Sequence, residues 1–197
     1  MARRADHTKQ QLTDMAVQAG VKILKTKGQE SLSARKIASE IGYTVGTLYN
    51  VFGSYEMLRY HINGVFLDEW LAAIEQMLKK RRAADPLMAL AKFYMDYSQT
   101  HSNQWRMLFD DSAPVTQPVP DWYRDKIRYL FMLLENTVRP IVVDPAQAKR
   151  AAQILWTGVH GITALSLSGK LSLIGTESAE ALVASFVRTF KKGMQNE

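Results

Sequence analysis

The sequence predicts an all-α chain, with a three-helix N-terminal domain over residues 1–53 containing a helix-turn-helix, and a second helical domain over residues 54–197. Three observations lead there. Apolar residues recur at helical spacing along most of the chain, as in Leu58, Ile62, Phe66, Leu67, Trp70, Leu71, Ile74 and Leu78. The breaks between such segments hold helix-stopping residues, among them Gly28 and Pro140. Two short helical periods, SARKIASEI and TVGTLYNVF, flank Gly42-Tyr43, and each opens on a hydroxyl residue, Ser33 or Thr44, suited to cap it.

Residues 1–8 are basic and polar without a core pattern; they read either as a disordered arm or as one reaching a minor groove through Arg3 and Arg4. Residues 9–27 predict the first helix, with Leu12, Met15, Ala16, Ala19, Ile23 and Leu24 on one face and Gly28 as its stop. In the next pair, Ile37, Ala38 and Ile41 face inward from one helix, and Leu48, Val51 and Phe52 from the other. The second helix of the pair begins with Thr44, Val45, Gly46 and Thr47, side chains small enough for its backbone to approach a DNA groove. That is the requirement on a recognition helix.

The same residues resemble a family. Ser33, Arg35-x-Ile37-Ala38, Gly42, Thr47-Leu48-Tyr49 and Phe52-x-Ser54-x-Glu56-x-Leu58 are similar to the DNA-binding domain of TetR-type transcriptional regulators, over about residues 9–58. The resemblance implies that Ser33 and Arg35 meet phosphate or a base edge, and that Thr44, Val45, Gly46 and Thr47 face bases or the adjoining backbone. It also implies a phosphate contact from the Tyr49 hydroxyl; the residue alone reads equally well as a packed core ring. Lys36 is either a phosphate contact or solvated. Capping hydroxyls and free helix N-terminal N–H groups suit phosphate oxygens. Val51 stands where the family often has a ring and Tyr55 where it commonly has a lysine, so a shallower salt dependence of DNA binding is expected.

Beyond Ser54 a long helix is expected to about Arg82, ending in the run Lys79-Lys80-Arg81-Arg82, which suits a helix C-terminus better than it suits DNA. Such a helix would link the DNA reader to the C-terminal helices, and its tilt would be the moving part of a switch. Asp85-Pro86 opens the next of two helical patterns over residues 86–110. The stretch 111–121, with three prolines in seven residues, reads as a loop of the length that often gates a pocket. Helices resume over 122–139, 146–169 and 177–194. Trp156-Thr157-Gly158-Val159-His160-Gly161 resembles the Trp-His-Gly signature of one TetR-like C-terminal domain type. Small residues along that helix, Ala151, Ala152, Gly158, Gly161, Ala164 and Ser168, permit close approach of another helix. The resemblance implies a homodimer through the last two helices, placing two recognition helices about 34–36 Å apart on a pseudo-palindromic operator.

Composition fits these expectations. At 47% apolar and 22% charged, the 197-residue chain reads as globular. Its net charge is +6, and residues 1–54 hold eight Lys/Arg against four Asp/Glu, so most of the positive excess lies with the helix-turn-helix. Cysteine is absent, which removes disulfides, thiolate ligands and thiol nucleophiles. With no signal-like h-region and no apolar run near the roughly 18 residues of a membrane span, a soluble, cytoplasmic protein without membrane association is expected.

The second domain is rich in aromatic residues at core-like spacing. Regulators of the resembled family hold a small molecule between helices there, which implies an apolar or aromatic effector. Trp70, Phe93, Tyr97, Trp105, Phe109, Tyr123, Ile127 and His160 are the candidate lining, with Tyr97 and His160 as polar handles. Each of them reads also as ordinary core. His160 has no partner at metal-ligand spacing, so neither a metal nor a cofactor is expected. No phosphate loop, nucleophile elbow or paired-carboxylate pattern is present; Asp110-Asp111-Ser112 reads as a helix end, and no enzymatic activity is expected. The expected function is a DNA-binding, ligand-responsive repressor. The alternative, grounded on Val51 and Tyr55, is a helical protein-interaction adaptor with weak, non-specific DNA binding.

Overall fold

The structure, a computed structural model, describes residues 7–80, 85–109 and 118–194, with the side chain of Lys80 excepted. Arg3, Arg4, Arg81, Arg82 and residues 110–117 of the proline-rich stretch, including Asp110, Asp111 and Ser112, lie outside the described residues. Nine α-helices and no strand occur among the described residues: α1 (Lys9–Lys27), α2 (Ala34–Glu40), α3 (Val45–Phe52), α4 (Tyr55–Lys80), α5 (Pro86–Thr100), α6 (Ser102–Phe109), α7 (Asp121–Val138), α8 (Ala148–Leu167) and α9 (Ala179–Met194). The fold is all-α, as the periodicity predicts.

Local chemistry explains most of the boundaries. Thr8 and Gln11 form a reciprocal capping box at the start of α1, and Gly28 ends the helix at φ 75°. The Ser33 hydroxyl receives the Lys36 N–H at the start of α2. At its end the Tyr43 N–H reaches the Ala38 carbonyl and the Gly42 N–H that of Ser39, with Gly42 at φ +74°, the left-handed stop that glycine adopts at no steric cost. Asp85 caps α5 through the Met88 N–H, with Pro86 in the first turn.

Packing divides the chain into two compact units, Met1–Glu69 with Asn103–Arg124, and Trp70–Ser102 with Asp125–Glu197. The division differs from the sequence boundary at 53/54, because α4 contributes residues to both units and α6 falls with the first. In the first unit Ala16, Ile23 and Leu24 of α1, Ile37 of α2, Leu48 and Phe52 of α3, Leu58 and Ile62 of α4 and Met107 of α6 form one buried core. A Cβ at Gly20 would collide with the Ile62 side chain, so α1 and α4 meet there at glycine's closest approach. In the second unit α5, α8 and α9 pack on one another. They bury Leu87, Leu90 and Met95, then Ala151, Ala152, Leu155 and Val159, then Val183, Val187 and Phe190. Lys191 of α9 bridges Asp85 at 2.8 Å. Burial raises the Asp85 carboxyl, but the Lys191 hydrogen bond and charge and the Met88 N–H outweigh it and hold the group below its ordinary value.

Candidate functional site

The helix-turn-helix is built from α2, the Gly42 turn and α3. Ser33 is half-buried at the α2 cap, whereas Arg35 and Lys36 are exposed on its first turn. Thr44 and Gly46 are exposed and Val45 is half-buried against the head core. Among the described residues a Cβ built on Gly46 meets only the Thr44 hydroxyl, at 3.7 Å, so none of them requires glycine at this position. Tyr49 is 46% exposed, which removes the packed-core reading of its ring. Thr47 departs from the expectation of a groove-facing side chain: it is 9% exposed, its N–H is capped by the Thr44 hydroxyl at 3.3 Å, and the two hydroxyls lie 3.1 Å apart. It sits one turn before Val51, on the side of α3 that carries Leu48, so burial follows from helical phase.

Val51 and Tyr55 are partly buried against the head core. Both positions thus contribute to the packing of the head. Near the head, Lys22 of α1 and Glu40 of α2 form an exposed pair at 2.7 Å that raises the one pKa and lowers the other, mainly through the shared hydrogen bond. His7 meets the Tyr43 hydroxyl at 2.7 Å, fixing the chain just before α1 beside the turn.

The expected effector residues fall into groups, each within one unit. In the second unit the Trp70 and Tyr97 rings stack at 6.0 Å, Phe93 lies 5.4 Å from Tyr97, and His101 stacks on Tyr97 at 4.0 Å. Tyr94, which is not in the lining expected from the sequence, joins this group to His160. Its ring is 5.4 Å from Trp70 and its hydroxyl 2.7 Å from His160 Nδ1. Trp156 stacks on His160 at 4.7 Å and meets Phe131 edge-on at 5.4 Å. Rings thus run without interruption from α4 through α5 to α8 and α7. Burial lowers the His160 pKa below its ordinary value and favours a neutral ring bonded to Tyr94. Ile127 is half-buried on α7.

In the first unit Trp105 is buried and lies 5.3 Å from Phe109 on α6. Tyr123 is buried on α7, edge-on to Tyr60 at 4.9 Å and 5.7 Å from Trp122, which in turn lies 5.0 Å from His61. Burial, then the neighbouring Tyr60, pushes the Tyr123 phenol far above its ordinary value, against the pull of a hydrogen bond with Asn63. Asn63 is not among the residues that sequence reasoning singles out. Its signal is present there: a carboxamide three and four residues before Phe66 and Leu67, on the buried stripe of α4.

Among the described residues no group of three or more His, Asp or Glu side chains is placed to hold a metal ion. No helix among them is long and apolar enough to cross a membrane.

The family model for bacterial regulatory proteins, tetR family, matches residues 16–59. That for the tetracyclin repressor-like C-terminal domain matches residues 87–190. An uncharacterized HTH-type transcriptional regulator of Mycobacterium tuberculosis is 23% identical over 179 residues, covering 91% of this chain and 79% of the relative. A solved protein of unknown function from Rhodococcus sp. RHA1 superposes with a TM-score of 0.73 at 19% identity, covering 98% of this chain and 100% of its own. A TetR transcription regulator from Haloarcula marismortui gives 0.64 at 17% identity, covering 94% and 98%. These two structures bear on the fold.

Proposed function

The chain belongs to the TetR family of DNA-binding transcription regulators, and we propose that it is a repressor that leaves its operator when a small molecule binds its helical C-terminal region. Such a regulator is not an enzyme. The observation that carries the DNA part of the proposal is the start of α3: exposed Thr44, Gly46 and Tyr49 around a helix N-terminus, beside exposed Arg35 and Lys36. A backbone stripped of side chains at Gly46 can approach a groove, while Tyr49, Lys36 and the Ser33 and Thr44 caps reach phosphate. Thr47 acts in this scheme by holding Thr44 in place, and Val45 offers an apolar contact to a base edge.

A homodimer sets two such heads on a pseudo-palindrome. On α8, Ile154 and Thr157 are exposed and Gly161 has open space where a Cβ would be, so this stripe is available to the same stripe of a second copy. The effector is apolar or aromatic and binds among the aromatic residues expected to line its site, which form one group in the second unit, with Tyr97 and His160 as polar handles, and another around Tyr123 in the first. It acts by population shift, binding better to the arrangement in which the heads miss operator spacing.

Selection from random duplexes, followed by titration of the enriched sequence at several salt concentrations, tests the proposal. Enrichment of a pseudo-palindrome bound by two chains is expected, with log affinity falling linearly in log salt. Binding that is equal for all sequences would overturn it. Val51 and Tyr55, which ground the adaptor alternative, both pack in the head core, and no other observation favours that reading.

A further inference from the structure

Asn63 lies on α4 at 7% exposure, a primary amide inside a stripe of Ile62, Phe66 and Leu67. Its side chain acts on the Tyr123 phenol of α7, drawing that pKa down against the larger effect of burial. The side-chain carbonyl oxygen is buried and has no hydrogen-bond partner. Buried acceptors are nearly always satisfied, and an unmade bond at such a site is a standing cost to the fold. A run of rings lies on the same two helices: Tyr60, one turn before Asn63 on α4, meets Tyr123 edge-on, and Trp122 spans from Tyr123 to His61. All of these residues belong to the first unit.

We propose that Asn63 reads the polar group of the effector, its carbonyl oxygen accepting a hydrogen bond from the hydroxyl or N–H of an uncharged aromatic ligand. The inference rests on the ligand-responsive reading above and adds to it the ligand's chemical class and the residue that selects it. The surroundings favour a ligand without charge. Burial moves the pKa values of Tyr60 and Tyr123 up and that of His61 down, so each is neutral near pH 7, and Glu56 and Arg59 act on Tyr60 in opposite senses. The rings supply edge and face contacts for a planar ligand. A site built to hydrogen bond one polar group rejects the analogue lacking it far more strongly than an apolar site rejects a missing methylene.

The test uses the full chain and three probes of one shape, 1-naphthol, 1-methoxynaphthalene and naphthalene, read by thermal shift and tryptophan fluorescence. The wild type is expected to bind 1-naphthol about tenfold or more tightly than the other two, each factor of ten being about 1.4 kcal/mol. Asn63→Leu, close in size and without the amide, is expected to fold and to bind all three alike. Should Asn63→Leu fold poorly, Asn63→Ala gives the same comparison. A naphthol preference that survives both substitutions would overturn the role of Asn63. A preference for 1-methoxynaphthalene that vanishes in the variants would overturn the donor class and assign the amide N–H instead. No binding of any probe by the wild type would overturn the aromatic class. Operator binding by Asn63→Leu is expected to match the wild type in the absence of probe, and its absence in both would count against the regulator reading, independently of the ligand.

Discussion

The start of α3 and the middle of α8 each place a glycine inside a helix, where it is about 1 kcal/mol less favourable than alanine. Their surroundings are opposite. At Gly158 a Cβ would collide with the edge of the Phe186 ring of α9, so the close packing of two helices of the same chain explains the residue. At Gly46 a Cβ would meet one hydroxyl at ordinary contact distance. Among the described residues nothing gives a packing reason for glycine there, and under the proposed function the approach of a DNA groove would. The first glycine reports on the fold, and the second is where the proposed function can be tested.

The largest effect expected from this contrast is at Gly158. Gly158→Val should lower stability by about 1–3 kcal/mol through overpacking against Phe186, measured by urea or thermal unfolding. A variant as stable as the wild type would mean that the ring moves aside freely, and the contrast with Gly46 would lose its structural half. Gly46→Ala should act the other way on the fold, raising stability by up to about 1 kcal/mol because alanine is the better helix former. It should nonetheless weaken operator binding about tenfold, or about 1.4 kcal/mol. An unchanged operator affinity would remove the groove-approach argument.

Thr44→Ala sharpens the same region with a smaller expected change. Its hydroxyl receives the Thr47 N–H and pairs with the Thr47 hydroxyl, so its loss should cost about 1 kcal/mol of stability as an N-cap. Because the two hydroxyls share a contact at 3.1 Å, Thr44→Ala and Thr47→Ala should be non-additive when measured in a double-mutant cycle for unfolding. Additive values would show that the two hydroxyls act separately.

Legibility in the sequence tracks the range of the interaction. Ser33, Thr44, Gly28 and Gly42 act through neighbours within five residues, and their capping and stopping roles can be read directly from spacing. Helical phase identifies Leu48 and Phe52 as core. The same phase places Thr47 beside Leu48, yet its small hydroxyl side chain suits the groove equally well, because composition says nothing of which flank of a short helix is covered. Met107 cannot be read at all as part of the head: it arrives from α6, far along the chain, and only packing reveals it. Among the effector candidates Trp70, Phe93, Tyr97 and His160 do gather with Tyr94. Trp105, Phe109 and Tyr123 fall in the other unit, and which faces meet is a tertiary property that periodicity does not contain. The Asn63 amide is visible as a polar residue on an apolar stripe, but that its oxygen is buried without a partner emerges only from the tertiary structure.

The smallest expected effect separates the two regions by pH. His160 stands two residues beyond Gly158, bonded to Tyr94 and stacked on Trp156, and burial lowers its pKa. His61, in the first unit, is lowered for the same reason. In the unfolded chain each imidazole returns to a pKa of about 6.5. Above that pH neither state binds the proton and the histidines contribute no slope. As pH falls below about 6.5 the unfolded chain takes up protons that the folded chain resists, so stability declines until the folded pKa is reached and then levels off. His160→Gln should flatten part of this decline between pH 7 and pH 5.5 in urea unfolding, and Gly46→Ala should leave the slope as it is in the wild type. If instead His160→Gln leaves the slope intact, the imidazole is not held neutral by its surroundings, and the packing around Gly158 is looser than its contact with Phe186 implies.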